Sequence, residues 1–304
     1  MAKDVVARDL NQTDLSAQNR ISTGRLARTR IRQLAQSVAT HVVLLMLGIT
    51  FMLPFLWMVT SSVKPDAELF QIPPTLVPQH FQPTNYLEAV RQISFAVYLK
   101  NSVVYALVAM LGAILSNAPI AYGFSRIRWK GRGVVFIVVI STMMLPFQVR
   151  MIPLYVAFGQ IGWLDSLLPL VVPTFFGNAF FIFLLRQFML TLPTDLDDSA
   201  RIDGCSEVGI FRQIVLPLSK PAITVVALFQ LMWAWHDFIG PLIYLRDQNG
   251  YTLSVGLQLY FTQHGAEWAL LMAAATMFTL PMVIVFFIAQ RAFIEGIALT
   301  GIKG

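Results

Sequence analysis

Residues able to make or break bonds are sparse in this 304-residue chain and do not group into a reaction centre. There is one cysteine, Cys205, and there are four histidines. The sequence holds no Gly-x-x-x-x-Gly-Lys-Ser/Thr loop to cradle phosphates, no His-Glu-x-x-His pair for zinc and no Gly-x-Ser-x-Gly elbow to expose a nucleophile. No catalytic residue and no metal site are therefore expected. Two polar groupings stand out instead. One is residues 191–221, an organised charged segment. The other is Gln230, Trp233, Trp235, His236 and Asp237, which interrupts an apolar run. Polar side chains inside a membrane helix are costly and tend to face a cavity or a partner, and aromatic faces suit sugar rings. An aromatic belt at the membrane surface is the plainer alternative for this second group. His236 has no companion zinc ligands.

Segment 191–221 reads as helix, turn, helix. Pro193 and Thr194 are start signals, with Asp197 three residues on as in a loose capping box. Asp195, Asp197 and Asp198 place negative charge at that helix's N-terminus, where the dipole favours it. Asp203-Gly204 is a turn signal, since glycine tolerates a positive φ. Ser206 can cap the second helix, on which Glu207, Phe211, Ile214 and Leu218 share a face with Ile210 alongside. Such a knob can insert into a partner's groove or lie on the membrane surface.

The elements around these groupings are membrane spans. The chain is 56% hydrophobic and 12% charged, with mean hydropathy +0.65. A soluble chain is about 45–50% apolar and about 25% charged. Six apolar runs are long enough or nearly so to cross a bilayer: 40–62, 102–124, 133–149, 166–185, 222–245 and 269–290. The first is expected to be an uncleaved span rather than a signal peptide. The expected fold is an all-α integral membrane protein of six transmembrane helices. A polar N-terminal tail, 1–38, expected to be mobile in its first part, precedes a membrane domain over 39–294, and a C-terminal tail follows at 295–304. Prolines inside the runs (Pro54, Pro119, Pro146, Pro169, Pro173, Pro241, Pro281) are expected to bend helices. The connection 63–101, with Pro73, Pro74, Pro78 and Pro83, reads as an ordered cap.

Charge sets the orientation. With the N-terminus inside, 17 of the 22 basic residues fall on the cytoplasmic side and five outside. Both termini and the 191–221 loop are thus expected in the cytoplasm. The same bias explains the net charge of +6 without a nucleic-acid partner.

The 191–221 segment resembles the EAA loop of binding-protein-dependent ABC transporter permeases, whose pattern runs Glu-Ala-Ala, three positions, Gly, then Leu-Pro. Here Asp198-Ser199-Ala200, Gly204 and Leu216-Pro217 fill those places, with Asp for Glu, Ser for the first Ala and Cys205 for a usual Ala. Further stretches are similar to the carbohydrate-importer branch, in the subunit like the smaller maltose-type permease. They are Ser62-Val-Lys-Pro, Pro73-Pro74, Asn85-Tyr86, Ile152-Pro-Leu-Tyr, Phe183-Leu-Leu-Arg-Gln-Phe, Trp235-His-Asp-Phe-Ile-Gly-Pro-Leu, Tyr251-Thr-Leu-Ser-Val-Gly, Leu271-Met-Ala-Ala-Ala and the closing Gly-Ile-Lys-Gly. The resemblance implies the type I importer permease fold in a bacterial inner membrane, and a transport subunit rather than an enzyme. It implies a second permease subunit forming a heterodimer and two ATPase subunits that carry ATP and Mg2+, with no cofactor in this chain. It also implies a periplasmic or lipoprotein sugar-binding protein. On it, Asp198, Ser199, Ala200, Asp203, Gly204, Ile210 and Phe211 form the ATPase-coupling loop, and Ile302, Lys303 and Gly304 touch the ATPase, although a frayed end is the alternative there. An ion-coupled secondary carrier is the rival class. It would place ionisable residues at mid-membrane, whereas Asp237 lies in the outer half of its run.

Overall fold

The computed structural model describes residues 33, 34, 36–262 and 265–301, with side chains to residue 290. The chain falls into two compact units, Met1–Met58 and Val59–Gly304. The described part of the first is the helix α1, Gln36–Ser61, whose last residues enter the second unit. Its apolar side chains face outward all round, from Val42 and Leu45 to Phe51 and Leu56. A helix apolar on every side needs a non-aqueous surrounding.

In the second unit the central post is α4, Phe95–Ser125, preceded by α2 (Asp66–Leu69) and α3 (Thr84–Gln92). At 31 residues α4 is about 46 Å long, more than a bilayer core requires. Its buried stripe is small: Ala106, Ala109, Ala113 and Ala121 let neighbouring backbones approach. Gly112 is the extreme case, since a Cβ there would lie 2.3 Å from Thr174 Oγ1. Ser116 Oγ donates to Thr174 O at 2.9 Å, and Asn117 Oδ1 accepts the Asn178 N–H at 2.7 Å. These bonds hold α4 against the span Leu168–Thr191, which comprises α7 (Leu168–Val171), a 3-10 turn (Val172–Phe176) and α8 (Ala179–Thr191).

The remaining elements are α5 (Arg132–Ser141), α6 (Phe147–Gln160), α9 (Asp195–Ile202), α10 (Glu207–Leu218), α11 (Lys220–His236), α12 (Ile239–Tyr244), α13 (Leu253–Gly256) and α14 (Trp268–Gly301). A two-stranded antiparallel pair, β1 (Phe261–Thr262) with β2 (Gly265–Ala266), is the one strand pairing among the described residues.

Among the described residues four helices are long and apolar enough to cross a membrane, or up to six if each of two bent pairs counts as one span. The six expected runs map onto them with two corrections. Run 133–149 straddles a 97° break, because Pro146 is extended (ψ 150°) and opens α6. Run 222–245 stops being one helix at His236, where Asp237 takes ψ 117°. Not every proline breaks its helix: Pro119, Pro153 and Pro281 sit inside continuous helices.

The connection after α1 is ordered, as its prolines suggest. The buried Glu68 carboxylate accepts the N–H groups of Gln79 (2.8 Å) and His80 (3.1 Å), and Lys64 Nζ donates to Thr75 O. Asn85 Nδ2 donates to the Ser62 and Lys64 carbonyls at 3.0 and 2.8 Å.

Candidate functional site

The loop at 191–221 is the helix–turn–helix its sequence implies. After α9 the chain turns at Gly204, φ +81°, where Gly204 N bonds Arg201 O and Cys205 N bonds Ala200 O. A Cβ at Gly204 would meet nothing within 4 Å among the described residues, so the glycine serves the backbone turn and not a close approach. Ser206 caps α10, its Oγ accepting the Gly209 N–H at 3.2 Å.

Two local expectations change. Thr194 makes no side-chain cap; its backbone carbonyl accepts the Asp197 and Asp198 N–H groups. Asp197 turns inward and pairs with Arg126 at 3.2 Å, both side chains 4% exposed. On α10 the expected face is rotated, because Phe211–Val215 is a π turn. The extra residue puts Ile210, Val215 and Ser219 on the buried side, while Leu218 is exposed.

The loop is fastened to the end of α4 in two places. Arg126, the residue after α4, gives Nη1 to Asp197 and Nη2 to the Met189 and Leu192 carbonyls at the end of α8 (2.6 and 2.8 Å). Tyr122 donates its hydroxyl to Glu207 Oε2 at 2.8 Å. Glu207 also accepts from Arg201 Nε at 2.8 Å, and Arg201 bonds Asp198 at 2.8 Å. These carboxylates hold the Arg201 guanidinium above its ordinary pKa, the hydrogen bond to Glu207 contributing most. A cleft of about 650 Å³ opens here, lined by Arg126, Arg128, Arg132, Asp197, Asp198, Arg201 and Glu207 among others.

Of the residues singled out in this loop, Asp198, Ser199, Asp203 and Gly204 are exposed, Ala200 and Phe211 are half-buried and Ile210 is fully buried. Phe211 packs on Tyr122, ring centroids 5.1 Å apart. Ser199 Oγ donates to Asp195 O, its own preceding turn. The structure adds Tyr122, Arg126 and Asp197 as anchors and an outward apolar set: Leu196, Ile202 (87% exposed) and Val208 (65%). The anchors carried no sequence signal beyond an acidic first turn. Two of the outward set, Ile202 and Val208, were legible as large aliphatics flanking the Gly204 turn.

The second grouping converges only in part. Trp233, His236 and Gln230 line a cleft of about 580 Å³ with Tyr105 and Asp237. A neighbouring cleft of about 780 Å³ shares Tyr105, Phe147, His236 and Asp237 and adds Arg150, Phe158 and Tyr244. Trp235 points elsewhere. It is buried against Phe278 (5.6 Å between centroids), with Nε1 donating to the Phe278 carbonyl. Asp237 is bonded within the chain: Oδ2 accepts the Tyr105 hydroxyl at 2.9 Å, Oδ1 the Gly240 N–H at 3.0 Å, and its carbonyl the Ser254 hydroxyl at 2.6 Å. His236 Nδ1 bonds the Met232 carbonyl at 2.9 Å. Among the described residues no three His, Cys, Asp or Glu side chains are placed to share a metal ion. The C-terminal candidates Ile302, Lys303 and Gly304 lie outside the described residues.

Residues 109–298 match the model of the family described as "Binding-protein-dependent transport system inner membrane component". The chain belongs to that family. It is thus a subunit of a multi-pass inner-membrane transport system. It is 33% identical to the arabinooligosaccharides transport system permease protein AraQ of Bacillus subtilis (strain 168), over 88% of this chain and 96% of the relative. It is 30% identical to the galactooligosaccharides transport system permease protein GanQ of the same strain, over 92% and 100%. The lactose transport system permease protein LacG of Rhizobium radiobacter is 29% identical over 88% and 97%. Among solved structures, a chain of a bacterial ABC transporter involved in import of the acidic polysaccharide alginate superposes with TM-score 0.75 at 22% identity, covering 84% of this chain and 95% of that one. At that identity the likeness establishes the fold.

Proposed function

We propose that this chain is the permease subunit of an ATP-driven importer of sugars, forming half of the translocation path beside a second permease. The cargoes named for these relatives, arabinooligosaccharides, galactooligosaccharides and lactose, support a carbohydrate. Two ATPase subunits holding ATP and Mg2+ supply the energy, and a sugar-binding protein delivers cargo to the outer face. Both termini lie in the cytoplasm, on the charge bias of the loops.

The observation that carries the docking reading is the two-sidedness of the 191–221 loop. Its inner side is anchored by Ile210, Val215 and the Arg126–Asp197 pair. Its outer side leaves Leu196, Ile202 and Val208 uncovered around the Gly204 turn. A small apolar set among charges, held rigid on a surface, suits burial in a partner's groove. In this reading Asp198, Ser199, Ala200, Asp203 and Gly204 shape the knob, and Ile210 and Phe211 seat it. The cleft beside Gln230, Trp233 and His236 serves as part of the sugar path. Ile302, Lys303 and Gly304 touch the ATPase; deletion of the last six residues is expected to change ATPase activity of the complex.

Affinity purification of the tagged chain from its native membrane tests the assignment. It should bring down an ATPase and a second permease, and proteoliposomes of that complex should import sugar only with ATP inside and binding protein outside. Uptake by the chain alone, driven by an ion gradient, would replace this reading with a secondary carrier.

A further inference from the structure

We infer that α4 is the rod that carries movement of the 191–221 loop to the sugar path, with Tyr122 and Arg126 as the positioning residues that fasten the loop to it. The inference rests on the reading of that loop as the ATPase dock.

At one end, α4 holds both helices of the loop. Arg126 grips α9 through the buried Asp197 carboxylate and α8 through two carbonyls at its C-terminal end. A guanidinium has a planar fork of donors, so these three contacts fix the angle between elements as well as their distance. A buried ion pair adds little net stability compared with an apolar pair. What it contributes here is a joint of defined geometry. Tyr122, one turn earlier, grips α10 through Glu207, and Glu207 with Arg201 ties α10 back to α9. With both helices tied to the last turn of α4, the loop cannot shift as a unit without taking that turn along.

At the other end, α4 holds the path. Tyr105 lies 17 residues before Tyr122, which is about 25 Å along an α-helix. Its hydroxyl bonds Asp237, the residue at the break between α11 and α12, and both side chains line the clefts. The helix between is continuous through Pro119. The chain's own route from the loop to Asp237, through α10 and α11, turns 76° at Ser219. That corner turns a push into bending, and the buried Ser219 hydroxyl has no hydrogen-bond partner among the described residues to stiffen it. The route without a break between helices is α4.

The test uses the whole transporter, with its ATPase, second permease and binding protein, in proteoliposomes. Tyr122→Phe removes one hydroxyl and keeps the ring on Phe211; Asp197→Asn removes the charge that Arg126 holds. Both complexes are expected to retain the ATPase and basal hydrolysis. Stimulation of hydrolysis by sugar-loaded binding protein should fall, and ATP consumed per sugar rise, by at least about fivefold, the lower range of allosteric coupling. If Asp197→Asn fails to fold, Tyr122→Phe alone decides. Unchanged stimulation and stoichiometry in an assembled Tyr122→Phe complex overturn the inference. So does loss of the ATPase from that complex, which would make Tyr122 part of the dock's shape. A wild-type chain that never retains an ATPase overturns the dock reading itself and this inference with it.

Discussion

The hydroxyl of Tyr105 in α4 donates to Oδ2 of Asp237 at 2.9 Å, joining residues 132 positions apart where α11 gives way to α12. Asp237 Oδ1 takes the Gly240 N–H at the start of α12, while the residue's extended backbone, ψ 117°, ends α11. Its oxygens are engaged by the chain, which makes Asp237 a builder of the cleft wall. Tyr105→Phe deletes one hydrogen bond to a charged group, worth about 1.5–3 kcal/mol. The variant should unfold at a lower temperature than the wild type in the same detergent. An unchanged unfolding temperature would show that the bond carries no stability.

Gly204 offers a separation of fold from docking. Any other residue at φ +81° pays the left-handed penalty of about 1–2 kcal/mol, and nothing among the described residues lies within 4 Å of the added Cβ. Gly204→Trp should therefore leave a folded permease that no longer retains the ATPase or no longer couples it to uptake. Gly131→Trp is the control, since Gly131 has φ +87° and the same open surround outside the loop. Normal uptake in Gly204→Trp, or equal loss in both variants, would remove the loop's assigned role.

The Glu68 carboxylate is held below its ordinary value of 4.5, chiefly by the Gln79 N–H, with the His80 N–H, Thr75 hydroxyl and Lys64 charge adding to it against the desolvation of burial. A depressed folded value means the contribution is full above the unfolded pKa and drains as pH falls through the folded one. Thermal stability should fall in the wild type as the pH drops below the ordinary value of 4.5, with a shallower fall in Glu68→Gln. Parallel profiles for the two proteins would mean that Glu68 plays no part in the acid loss.

The sequence carried much of this architecture because its signals are local. Apolar runs mark spans, Asp203-Gly204 marks a turn and Ser206 marks a cap, and each element forms where its own residues call for it. What escaped was set by long-range partners. Asp197 looks like an N-terminal charge until Arg126, 71 positions earlier, folds beside it. The buried face of α10 depends on a π turn, which breaks the 3.6-residue period used to read it. Trp235 and Trp233 sit two residues apart in an apolar run with no difference between them in the sequence. Packing against Phe278 buries the first and leaves the second open.

Those two tryptophans give the sharpest test of the path. Trp233 is 47% exposed on the cleft wall, with its ring against Phe180, Phe181 and Phe229, the nearest centroid being that of Phe181 at 4.9 Å. Trp235 is 3% exposed within a core of Tyr105, Phe158 and Tyr244. Trp235→Ala opens a cavity worth about 3–5 kcal/mol, and its effect should be a loss of folded protein in the membrane with little change in KM for what remains. Trp233→Ala should leave the amount of protein unchanged. If its ring stacks on passing sugar, losing about 0.5–1.5 kcal/mol of aromatic contact raises KM for uptake roughly 2- to 10-fold. Gln230→Ala, on the same cleft, should move KM in the same direction. Uptake by Trp233→Ala and Gln230→Ala with wild-type KM and rate would assign this face to an aromatic belt and the sugar contacts to the second permease.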